Sequence, residues 1–140
     1  MIMNSLIKWL IYGFLMLGSL IASGCDNRYN INDIQDTYSV KYPYGIEELV
    51  LKENGSYEQL FAINGQLLNT INKGKWGISN VGEKQIILID PVIVDNGFGK
   101  PTKLEKKKGG WPLRIKKGVF DNRIYFPINE DLDFEFRRKN

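Results

Sequence analysis

Histidine is absent from this sequence of 140 residues, and cysteine occurs once, at position 25. Without histidine the chain lacks the commonest general base and the commonest metal ligand, and a lone cysteine excludes every disulfide within the chain. Serine-histidine-aspartate and cysteine-histidine sites are excluded with them, which leaves few catalytic plans. A dominant charge is missing too. Of 19 basic residues only Lys8 falls in the first 24, where there is no Asp or Glu, so the remainder carries 18 basic side chains against 16 acidic ones. That balance supplies no global attraction for nucleic acid. Nor does any helical apolar stripe of useful length follow residue 24.

What is present begins with a leader. Met1 to Lys8 ends in a single positive charge, Trp9 to Leu20 is an apolar run, and Ala22, Ser23 and Gly24 are small. Basic, hydrophobic and small-residue regions in this order make a secretory signal. Ile21-Ala22-Ser23-Gly24-Cys25 resembles the lipobox of bacterial lipoprotein precursors, with Ala22 standing where that family usually has Leu. The resemblance implies that the Cys25 thiol takes a diacylglyceryl group, that the Gly24 to Cys25 bond is cut, and that the new amino group is acylated, palmitate being the typical chain. Cys25 is then a substrate, and two or three acyl chains hold a protein stably where one holds it marginally. Two other readings remain open: Leu6 to Gly24 kept as a transmembrane anchor, or an ordinary secretory signal with Cys25 an incidental thiol. Asp26 and Asn27 resemble the signal that retains lipoproteins in the inner membrane of enterobacteria. Otherwise they simply start a polar tether.

Residues 25–36 are read as the lipidated terminus and a flexible tether, because Asn and Asp dominate and few apolar residues are present to repay ordering. Residues 37–140 are read as one β-rich domain, of a length that supports a modest core. Strands are expected at Thr37 to Tyr42, Ile46 to Lys52, Ser56 to Ile63, Gln66 to Ile71, Lys75 to Ser79, Gln85 to Ile89 and Val92 to Val94. Further strands are expected at Leu113 to Lys116, Val119 to Phe120, Arg123 to Phe126 and Leu132 to Arg137. Asn54-Gly55 and Asn64-Gly65 are hairpin signals, since tight reversed turns need positive φ. Asp90-Pro91 marks an edge, bulge or bend, and Asp95 to Gly110, rich in Gly and Lys, reads as a long exposed loop. Leu132, Phe134 and Phe136 alternate with Asp133 and Glu135, the pattern of an antiparallel sheet covering a core on one side. The expected fold is mainly β, an antiparallel meander closing into a small barrel, with a β-sandwich as the alternative. Glu48-Leu49-Val50-Leu51, Asn54-Gly55-Ser56-Tyr57 and Gly74-Lys75-Trp76 resemble small lipocalin-like barrels of bacterial surface lipoproteins; this implies a fold and no function.

The strongest charge feature is Lys100, Lys103, Lys106, Lys107, Lys108, Arg114, Lys116 and Lys117, opposed only by Glu105 and accompanied by Trp111. On a tethered domain Lys106, Lys107, Lys108, Arg114, Lys116 and Lys117 suit an anionic lipid or polymer, or an acidic protein partner. The plainer reading is a solvated loop. Tyr57, Trp76, Phe134 and Phe136 are assigned to packing. Glu47 and Glu48, as strand neighbours, point to opposite faces, Asp33 and Asp36 fall in the tether, and Asp90 and Asp95 flank turns, so no pair converges for acid-base work. The expectation is therefore a monomeric, non-enzymatic envelope lipoprotein with no cofactor and no metal. It meets the membrane through its lipid, does not bind nucleic acid, and presents a surface to an envelope partner. Alternatives are a carrier of a small apolar ligand and an inhibitor or immunity protein against a wall-degrading enzyme or toxin. In a Gram-negative cell it would sit on the periplasmic side of the inner membrane.

Overall fold

The computed structural model describes residues 28–95 and 97–140. A four-residue helical turn, α1 (Ile31–Ile34), leads into β1 (Asp36–Tyr42), β2 (Gly45–Leu51), β3 (Ser56–Ile63), β4 (Asn69–Ser79) and β5 (Gln85–Ile89). Then come the hairpin β6 (Val92–Asp95) and β7 (Pro101–Lys106), followed by β8 (Gly110–Arg114), β9 (Lys116–Lys117), β10 (Ile124–Asn129) and β11 (Phe134–Arg138).

Among the described residues nine strands form one antiparallel sheet in the order β8-β5-β4-β3-β2-β1-β11-β10-β9, and β6 pairs only with β7. The two outermost strands, β8 and β9, are consecutive halves of one segment. Its first half pairs with β5, Gln85 opposite Arg114, and its second half with β10, Tyr125 opposite Lys116. One stretch of chain thus joins both edges, and the expected meander is nearly closed into a barrel. Closure removes most of the unpaired edge that an open sheet would expose. Beside β9 the seam is bridged by ion pairs: Glu130 lies 3.1 Å from Arg114 and 3.3 Å from Lys116.

Period-two alternation builds the interior. β1 turns Tyr38, Val40 and Tyr42 inward, β3 turns Tyr57, Gln59 and Phe61, and β10 and β11 add Ile124, Phe126 and Phe136, all buried. Trp76, Ile86, Leu88 and Leu113 complete the wall on the other side. Tyr57 and Trp76 are anchored as well as packed. The Tyr57 hydroxyl donates to the Ile89 carbonyl at 2.8 Å and the Trp76 indole donates to the Lys52 carbonyl at 3.0 Å. Both Asn-Gly turns form, with Gly55 and Gly65 at φ +78° and +83°.

Several expectations are corrected. Gln66 to Ile71 and Lys75 to Ser79 are not two strands: residues 66–68 lie outside the sheet and β4 runs unbroken through Gly74. Gly74 is there to admit the Tyr57 ring, which would lie 2.6 Å from an added Cβ. The segment from Asp95 to Gly110 is not all loop, because Pro101–Lys106 pairs back onto β6 and Asp95 is buried. Val119 and Phe120 form a turn rather than a strand and are fully in solvent. Leu132 likewise sits in a turn. Residues 28–36 are folded against the barrel rather than strung out as a tether. Asn30 caps α1 with a reciprocal Asp33 bond, Ile34 is entirely buried, and Tyr29 exchanges two hydrogen bonds with the Asn80 side chain, each 3.0 Å. A capping box and one buried Ile outweigh a polar composition.

Candidate functional site

Two regions of the barrel carry polar groups that packing alone does not require. At one end lie the β1–β2, β3–β4 and β10–β11 turns together with the β6–β7 hairpin. At the other lie residues 28–35 and the β2–β3, β4–β5 and β9–β10 turns, because the strands run antiparallel.

At the hairpin end the alternation of β2, β3 and β4 carries Glu47, Gln59 and Asn72 into the interior in place of apolar groups. The Asn72 amide donates to Gln59 Oε1 and to the Asp90 carbonyl, each at 3.0 Å. Gln59 Nε2 donates to the Val92 carbonyl at 2.9 Å and to Glu47 Oε1 at 3.1 Å, and Gln59 Oε1 accepts the Val92 amide at 2.8 Å. Tyr42 donates its hydroxyl to Glu47 Oε2 at 2.9 Å. The hairpin is therefore laid across the barrel mouth on a row of side chains, with Val92 and Val94 turned to the core. Its base is closed by Lys107 to Pro91 and by Gly109 to Asp90, and its tip by Asn129 bonding the Gly97 carbonyl.

Burial pushes the Glu47 carboxyl up to about 7; the Tyr42 and Gln59 hydrogen bonds pull it down in part, and the neighbouring Asp95 charge raises it. Tyr42 and Tyr44 hydroxyls are pushed far above the usual phenol value, first by burial and then by Glu47 and Asp95. Asp95 Oδ1 accepts the Gly97 amide at 3.1 Å, while Asp95 Oδ2 and the Tyr44 hydroxyl are buried with no partner among the described residues. Glu47 can thus hold or release a proton near neutrality, and the hairpin covers it from solvent. Glu48, its neighbour, faces outward and pairs with Lys139 at 2.6 Å, so the two carboxylates do not meet. Asp33 caps α1, Asp36 pairs with Arg138 at 3.0 Å, and Asp90 Oδ1 accepts the Gly109 amide. Among the described residues no group of three or more His, Cys, Asp or Glu side chains comes together to hold a metal.

The basic series does not form one patch. Lys106 and Lys107, with Lys103, Glu105 and Ile93, line a shallow hollow on the hairpin. Lys108 is exposed at the hairpin base, and Arg114 and Lys116 are committed to Glu83 and Glu130 across the barrel seam. Lys117 lies at the opposite end, 5.5 Å from the Tyr29 ring centre, where Lys84 approaches the same ring at 5.9 Å. A second hollow there is lined by Arg28, Tyr29, Asp33, Lys117, Asn122 and Arg138. Gly24, Cys25, Asp26 and Asn27 lie outside the described residues, and among the described residues no helix is long and apolar enough to cross a membrane.

Sequence reading missed the Glu47-Gln59-Asn72 row. The signal was available for Gln59, which alternation places on one face with Tyr57 and Phe61. Nothing local announces that residues 90–95 come to meet it. No family model, no curated protein and no solved structure matches this chain.

Proposed function

We propose that this chain is a lipoprotein of a bacterial cell envelope, held to the membrane by lipid on Cys25, whose barrel presents a surface to a partner and catalyses no reaction. The observation that carries the reading is the order of features: an apolar leader and Ala22-Ser23-Gly24-Cys25 stand immediately ahead of a barrel that is folded from Arg28 onward. Asp26 and Asn27 serve as the junction and, in an organism that sorts lipoproteins this way, as the retention signal. The side chains that occupy the interior favour a surface role over an internal carrier, since an apolar ligand would have to displace Tyr38, Tyr57, Phe126 or Phe136. Inhibition of a wall-degrading enzyme or toxin is one form such a surface role takes.

Metabolic labelling with a palmitate analogue tests the anchor. Label on the native chain and its loss in Cys25→Ser support the proposal; an unlabelled chain that washes from membranes overturns it.

A further inference from the structure

The β9–β10 turn exposes Val119 and Phe120 at 92% and 101%, and the β4–β5 turn exposes Val81 at 89%. Single exposed apolar residues are ordinary on a protein surface. Here, however, two are adjacent at a turn tip, a place where polar and turn-forming residues are the norm. The third is on the neighbouring tip at the same end of the barrel. Basic side chains surround them. Lys117 and Arg123 flank the first tip, and Lys84 follows the second. The nearby acids are half exposed but paired: Asp121 accepts the Arg123 amide at 3.1 Å and lies 3.9 Å from the Arg123 guanidinium, and Glu83 lies 3.5 Å from Arg114. Tyr29 sits between the tips, with Lys84 and Lys117 over its ring and Asn80 of the β4–β5 turn holding its backbone.

We propose that this end of the barrel is a membrane-contact face that lies on an anionic phospholipid surface. Val119, Phe120 and Val81 enter the interfacial layer, and Lys84 and Lys117 sit at the level of the lipid phosphates. The proposal rests on the lipid-anchor reading and deepens it. Arg28 lines a hollow at this end with Tyr29, Lys117 and Asn122, and the three residues from Cys25 to Arg28 span at most about 11 Å. A leash that short brings this end, rather than the hairpin end, to the bilayer. Apolar tips ringed by cations are complementary to a layer whose surface is anionic and whose interior is apolar.

The full chain, reconstituted through its own anchor, is carried as Val119→Cys or, at the opposite end, Leu67→Cys, each labelled with an environment-sensitive fluorophore. Both side chains are exposed, so neither substitution disturbs the core. Vesicles of phosphatidylcholine alone, or with phosphatidylglycerol, contain a nitroxide lipid that quenches at shallow depth. The expected result is quenching at least fivefold stronger at position 119 than at 67 in the phosphatidylglycerol vesicles. Adding Lys84→Glu and Lys117→Glu brings the position-119 signal down toward its level in phosphatidylcholine. Vesicle-bound protein with equal quenching at both positions overturns the proposal while leaving the anchor intact, and directs attention to a protein partner for the tips. Protein that leaves the vesicles overturns the anchor and this orientation together.

Discussion

Gln59 holds both backbone groups of Val92, accepting its amide at 2.8 Å and donating to its carbonyl at 2.9 Å. A side chain here does what a neighbouring strand would do in a ladder. β6 therefore crosses the barrel mouth without joining the main sheet, and its inner polar groups remain satisfied. Gln59→Ala strips partners from Val92, Asn72 and Glu47 at once. A loss of about 2–4 kcal/mol is expected from several buried groups left unpaired, read as a lowered urea midpoint. Amide exchange at Val92 should accelerate more than at Leu49, which keeps its ladder.

Stability should depend on pH through Glu47. Its carboxyl is raised to about 7 in the folded chain, while in the unfolded chain it titrates near 4.5. Between these values the folded form binds more protons than the unfolded form. The stabilising contribution is therefore full below about pH 4.5, falls by up to about 1.4 kcal/mol per pH unit as pH rises, and is gone above about 7. Glu47→Gln keeps the shape and removes the ionisation. Urea midpoints measured from pH 4.5 to 8 should decline less for the variant than for the native chain; parallel curves would show that Glu47 does not titrate in this window.

Gly74 and Gly77 share β4 but not an environment. An added Cβ at Gly74 meets the Tyr57 ring at 2.6 Å, and that ring is pinned by hydrogen bonds to Ile89 and Asn72, whereas at Gly77 nothing lies within 4 Å. Gly74→Ala should cost about 1–3 kcal/mol through overpacking. Gly77→Ala should be neutral or stabilise by up to about 1 kcal/mol through the unfolded chain. Thermal denaturation of the two variants side by side checks the contrast.

Ile34 holds residues 28–35 to the barrel. Ile34→Ala should cost about 2–5 kcal/mol, as a large buried side chain reduced to a methyl. It should also raise amide exchange at Tyr29 and Asp33. Asn30→Ala, which removes only the cap, should cost about 1 kcal/mol. If Ile34→Ala left the melting temperature unchanged, the leading segment would contribute nothing to the fold.

Local features of the barrel are legible in the sequence. Ser56 to Ile63 and Gln85 to Ile89 are strands to the residue, and the alternation around Phe134 and Phe136 marks the strand that closes against β1. The errors have one cause, partners that lie elsewhere in the chain. Val119 and Phe120 have strand-type side chains, but between Lys117 and Ile124, which pair with each other, the chain has only enough length to turn. Pro101–Lys106 has little apolar content, yet it pairs because β6 offers an edge that the main sheet leaves unmatched. For the basic series the sequence shows only proximity along the chain. Arg114 and Lys117 are three positions apart, yet one is paired to Glu83 and Glu130 and the other lies over the Tyr29 ring.

Sequence alone determined the β class, the two Asn-Gly turns and the faces that alternation turns inward, because side-chain period and positive φ are properties of a few neighbouring residues. Tertiary structure decided where residues 28–36 lie, that the hairpin caps the barrel, and that Glu47 is held where its proton is released near neutrality. Those outcomes depend on partners far apart in the chain, such as Gln59 with Val92 and Arg138 with the Asp33 carbonyl. Contacts of that separation are set by closure of the whole barrel, which no local pattern records.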